Sequence, residues 1–86
     1  MKLKEKELFE TQDLYLSSAI TLFLKTAPGF RVENGRTLFV FSISDDLYKA
    51  MNAYNNGASL SAIEYAQTIK RLRAEMLMRR GMEAGK

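Results

Sequence analysis

The chain of 86 residues contains no cysteine and no histidine. Without cysteine there is no disulfide framework and no thiolate metal site, which fits a reducing cytoplasm. Without histidine, the commonest general base, the usual partner of a catalytic serine and the commonest metal ligand are all missing. No glycine-rich loop of the phosphate-binding kind is present. The longest apolar run, "LFVF", is far too short to span a bilayer. The opening "MKLKEKELFE" alternates in charge sign and has no apolar stretch behind it of the signal-peptide kind. Together these absences predict a cytoplasmic protein that needs no cofactor, metal or membrane, has no evident small-molecule substrate, and is not an enzyme.

What is present suits a small folded unit. A hydrophobic fraction of 47% is too high for a disordered chain. The length predicts one domain over residues 1–86, with residues 1–7 and 82–86 expected to be flexible. The net charge is +3, and the whole excess lies in residues 59–86, where six cations face three anions.

The clearest local signal is "FRVENGRTLFVFSIS". Asn34-Gly35 is the favoured dipeptide of a two-residue type I′ turn, and strand formers stand on both sides. A hairpin over 30–44 then pairs Glu33 with Arg36, Val32 with Thr37 and Phe30 with Phe39. Phe30, Val32, Phe39 and Phe41 fall on one face; Leu38 and Val40 fall on the other. The second strand is apolar on both faces and asks for another neighbour, which "LFET" at 8–11 can supply.

Helical periodicity accounts for the rest. Leu16, Ala19, Ile20, Phe23 and Ala27 make a stripe capped by Thr11 or Asp13 and ended by Pro28-Gly29. Ser44 caps a second helix, with Asp45 and Asp46 in its first turn, where the helix dipole favours anions. Adjacent helical carboxylates diverge by about 100°, so this pair is a helix-start feature rather than an acid/base pair. Its stripe is Leu47, Ala50, Met51 and Tyr54, closed by Asn55-Asn56-Gly57. Ser61-Ala-Ile-Glu64 is a capping box that opens a long last helix, running to about Arg80 and stopped by Gly81. The predicted fold is α+β: a small antiparallel sheet, built of the hairpin and the N-terminal strand, covered by three helices of which the last is long.

The stretch "IKRLRAEMLMRRG" holds five of the thirteen cations, Lys70, Arg71, Arg73, Arg79 and Arg80, and one acid, Glu75. On a helical wheel the core sector takes Tyr65, Ala66, Ile69, Leu72 and Met76. The cations do not align as a groove-reading helix presents them. Leu77 and Met78 fall off the core sector. Met76, Leu77 and Met78 are therefore the candidates for a partner surface, most simply that of a second copy in a dimer. The alternative is sequence-tolerant nucleic-acid binding through the five cations. Phe39 and Phe41 near Arg36 invite comparison with strand aromatics that stack bases, but the RNA-recognition signature fails at Thr37 and Leu38.

Three stretches, "FETQDLYLSSAI", "NGRTLFVF" and "YNNGASLSAIEYAQTIKRLR", resemble a family of small bacterial and phage-borne proteins known only as a domain of unknown function. Phe9, Thr11, Asp13, Leu14, Tyr15 and Leu16 carry the resemblance, with Phe39 and Phe41, Tyr54, and Lys70, Leu72 and Arg73. It spans about residues 8–75. It brings no activity with it, although a mobile-element setting raises the prospect of a nucleic-acid partner.

Overall fold

The computed structural model describes residues 7–84, with side chains to Gly81. The flexible ends expected at 1–7 and 82–86 lie largely outside the described residues. Glu7, however, is tied to the sheet by its carbonyl, which accepts the Ile43 N–H at 3.0 Å.

The elements follow the order β1 (Leu8–Thr11), α1 (Leu14–Leu24), β2 (Gly29–Glu33), β3 (Arg36–Ser42), α2 (Asp45–Asn55) and α3 (Ala62–Ala84). The three strands form one antiparallel sheet in the order β1-β3-β2, and the fold is α+β. The hairpin register is the expected one, with Phe30 opposite Phe39 and Glu33 opposite Arg36. Asn34 and Gly35 both take positive φ, 54° and 77°, as a type I′ turn requires.

Thr37, Phe39 and Phe41 are buried beneath the helices, and Phe30 meets Phe39 edge-on with ring centroids 5.5 Å apart. On the opposite face Leu38 and Val40 are half-buried. There Arg31, on β2, reaches across β3 to Glu10 on β1, at 2.6 Å, and also holds Glu33 at 3.0 Å. The hydrogen bond from Arg31 holds the Glu10 carboxyl below its ordinary value, and the same contact raises the Arg31 guanidinium. These exposed charges partly roof the outer face of a strand that is apolar on both sides.

Asp13 caps α1 by accepting the Leu16 N–H at 3.0 Å, and Thr11 Oγ1 in turn accepts the Asp13 N–H. The helix ends earlier than its hydrophobic stripe suggests. Lys25 turns left-handed at φ 56°, and Ala27 lies exposed outside the helix. Pro28 explains the early exit: within a helix its ring would collide with the carbonyl of Leu24. Five consecutive residues, Ser17 to Thr21, are buried, so α1 is enclosed on all sides, with α2 and α3 both packed against it. Serine, alanine and threonine leave room for neighbouring helices to approach. Ser18 and Thr21 direct their hydroxyls to the carbonyls of Leu14 and Ser17.

Ser44 caps α2 through the Leu47 N–H. Its C-terminus closes as a Schellman motif, with Gly57 N–H to Tyr54 O, Ala58 N–H to Ala53 O, and Gly57 at φ 75°. Ser61 Oγ accepts the Glu64 N–H at the start of α3. Gly81 does not stop that helix, which continues to Ala84. A glycine ends a helix by turning left-handed; inside one it costs only about 1 kcal/mol. Gly81 is not among the glycines at positive φ.

The core consists of Ile20, Phe39, Phe41, Leu47, Ala50 and Leu72, with half-buried residues of β1, β2 and all three helices around it. The inward stripe of α3 is Tyr65, Thr68, Ile69, Leu72 and Met76, whereas Ala66, expected on that face, is exposed. Thr68 takes its place, only 3% exposed.

Candidate interaction surface

The distal half of α3 has two unlike sides. Its inner side is fastened to the hairpin. Met76 packs against the core cluster, and its carbonyl accepts a hydrogen bond from Thr37 Oγ1 at 3.4 Å. One turn on, the Arg79 guanidinium lies 5.2 Å from the centre of the Phe30 ring and pairs with Glu75 at 3.1 Å. Met76 therefore belongs to the intramolecular core. It drops out of the partner surface for which it was a candidate, because the hairpin reaches further along α3 than its sequence position suggests.

The outer side is unpartnered among the described residues. Leu77 and Met78 are 52% and 56% exposed, with Ala74 before them and Gly81 after them, also exposed. Residues 63, 67, 70, 74, 77 and 81 follow alternating steps of four and three, the spacing of a helix seam. Ile63 opens that line at 71% exposure. Gln67 and Lys70 interrupt it, so its continuous apolar part is the distal one, from Ala74 to Gly81. Two of the three candidates, Leu77 and Met78, are thus brought together on one outward face.

Of the five candidate cations, Arg79 is engaged with Glu75 and Phe30. Lys70, Arg71, Arg73 and Arg80 are exposed and form no ion pair among the described residues. On the helical wheel Lys70 stands within the outward sector, Arg71 on one flank, and Arg73 and Arg80 on the other. Arg71 also lines a shallow polar groove of about 400 Å³ between α1 and α3, opposite Lys25 and floored by Thr21 and Thr68.

The remaining candidates resolve simply. Phe39 is fully buried and Phe41 is 5% exposed, so neither can stack a base. Asp45 and Asp46 stand in the first turn of α2. No cluster of three or more potential metal ligands is found among the described residues, and none of their helices is long and apolar enough to cross a membrane.

A tyrosine group at the other end of α3 gave no motif in the sequence. The Tyr65 hydroxyl donates to the Tyr15 carbonyl at 2.9 Å. Burial pushes the Tyr65 phenol up to about 12, with further contributions from Tyr54, Asp13 and Tyr15. This group ties the start of α3 to α1, as Met76 and Arg79 tie its distal half to the hairpin.

The fold and this surface define a small α+β module with one basic, partly apolar helix face turned outward. Compared with family models, curated proteins and solved structures, the chain matches none.

Proposed function

We propose that this chain is a non-enzymatic, cytoplasmic interaction module that self-associates as a dimer through the outward face of distal α3. The observation that carries this reading is the exposure of Leu77 and Met78 beside Ala74 and Gly81, on a helix whose opposite side is fixed to the hairpin. Small residues at 74 and 81 let a second helix approach closely, and a methionine adapts to its contour. In a pair related by a twofold axis the same patch serves on both copies, so Leu77 and Met78 of each lie in the shared interface. The lack of cysteine and histidine supports the non-enzymatic and cytoplasmic parts of the reading.

The test is sedimentation velocity of the wild type and of Leu77→Glu/Met78→Glu, in salt high enough to screen the neighbouring cations. The wild type is expected to show a concentration-dependent dimer, and the variant a folded monomer by circular dichroism. A wild type that stays monomeric at high micromolar concentration overturns the proposal.

Nucleic-acid binding is the second reading. It is favoured by four exposed cations of α3, Lys70, Arg71, Arg73 and Arg80, which form no ion pair among the described residues, and is supported by the resemblance to phage-borne proteins.

A further inference from the structure

We infer that a phosphate polyanion and the second copy bind the distal α3 face together, each strengthening the other. This rests on the self-association reading and adds a ligand to it. Lys70, Arg71, Arg73 and Arg80 occupy one face and both its flanks over eleven residues, about 15 Å of helix. From Tyr65 to Gly81 the only acid is Glu75, and Arg79 already holds it. Among the described side chains, the apolar patch around Leu77 and Met78 is therefore flanked by a net excess of positive charge.

Two copies meeting on this patch bring four cations each, eight in all, to one interface. At 0.1 M salt, cations closer together than the Debye length of about 10 Å still repel one another. Apolar burial drives the pair together while its rim drives it apart. A strand of phosphates removes the repulsion and gains counterion release from twice as many cations as a monomer offers. The coupling is reciprocal by linkage: whatever factor the polyanion adds to dimer affinity, the dimer adds to polyanion affinity.

The geometry selects a polyanion over a single small anion. The four cations spread around the helix and share no enclosed pocket, so one phosphate meets one or two of them while a flexible strand can follow them all. It also selects charge over sequence. Phe39 and Phe41 are sealed in the core, and the sheet offers no base-stacking platform in their place.

Sedimentation velocity of the full chain tests this at low and high salt, alone, with a short mixed-sequence single-stranded oligonucleotide, and with inorganic polyphosphate. Alone, the dimer is expected to tighten as salt rises. At low salt the oligonucleotide is expected to tighten it by about tenfold or more. Polyphosphate acting equally assigns the effect to phosphate charge; polyphosphate without effect assigns the ligand as nucleic acid. Lys70→Gln/Arg71→Gln/Arg73→Gln/Arg80→Gln should dimerise with little regard to salt or polyanion. Leu77→Glu/Met78→Glu should bind the oligonucleotide as a monomer, with a shallower salt dependence than the wild type. A wild-type dimer that forms at low salt and ignores both polyanions overturns this inference and leaves self-association standing. A monomer at high salt and high concentration overturns self-association, and the inference with it.

Discussion

Replacing Lys25 with glycine should stabilise the protein. Lys25 sits at φ 56° and ψ 38°, directly after the last residue of α1. A left-handed conformation brings the β-carbon of an L-residue against the following carbonyl oxygen, at a cost of roughly 1–2 kcal/mol. Glycine has no β-carbon and escapes that cost. It also makes the unfolded chain more flexible, which takes back roughly 0.4–1 kcal/mol. The Lys25 side chain forms no hydrogen bond or ion pair among the described residues, so no such contact is lost to offset the gain. The net expectation is a stabilisation of about 0.5–1 kcal/mol, or a melting temperature higher by roughly 2–8 °C for a domain of this size. Thermal unfolding followed by circular dichroism reads it directly. Lys25→Ala is the control, since it removes the same charge but keeps the β-carbon, and it should give no comparable gain. A glycine variant that melts no higher than the alanine variant refutes the reasoning.

Other substitutions probe other joints. Gly35→Val should cost more than about 1 kcal/mol, purely from backbone strain at φ 77°, because an added β-carbon meets nothing within 4 Å; an unchanged urea midpoint contradicts the turn. Met76→Ala should cost roughly 1–3 kcal/mol while Leu77→Ala stays within about 0.5 kcal/mol; equal losses in the two would mean that the inner and outer sides of α3 are misassigned. Tyr65 ties stability to alkaline pH. Its folded phenol is raised to about 12, above an unfolded value of about 10, so its contribution is complete below pH ~10 and is lost as pH climbs towards 12. Tyr65→Phe should lower the melting temperature at neutral pH and flatten its fall across that window; an alkaline slope as steep as the wild type's assigns the loss to other groups.

Much of the architecture was readable because it follows from local rules. Asn34-Gly35 set the turn, the turn set the register, and the register set which aromatics face inward. The N-terminal strand was inferred from the needs of β3, and it pairs there. Local rules failed where tertiary context decides. Hydropathy placed Ala66 inward and overlooked Thr68, because a threonine methyl and a short hydroxyl can fill a tight helix contact as well as an apolar residue. The burial of Ser17 and Ser18 left no trace in the pattern for the same reason. The exit of α1 at Lys25 was hidden by an apolar spacing that continued to Ala27. On α3, the wheel separated Leu77 and Met78 from the core stripe correctly. It could not show that the hairpin extends under Met76 and Arg79, since that depends on how the sheet lies beneath the helix.

The enclosure of α1 has a consequence for how the chain acquires its structure. Ile20 is covered only when the sheet and the flanking helices are all in place, and those elements are spread over residues 8–84. The first strand pairs with the third rather than the second, so neither β1 nor α1 can finish its contacts using the segment that follows it directly. A chain growing from its amino end holds β1 unpaired until β3 emerges, and α1 incompletely covered until Leu72 arrives. A fragment lacking α3 leaves the core open and should collapse or aggregate rather than persist as a smaller native unit.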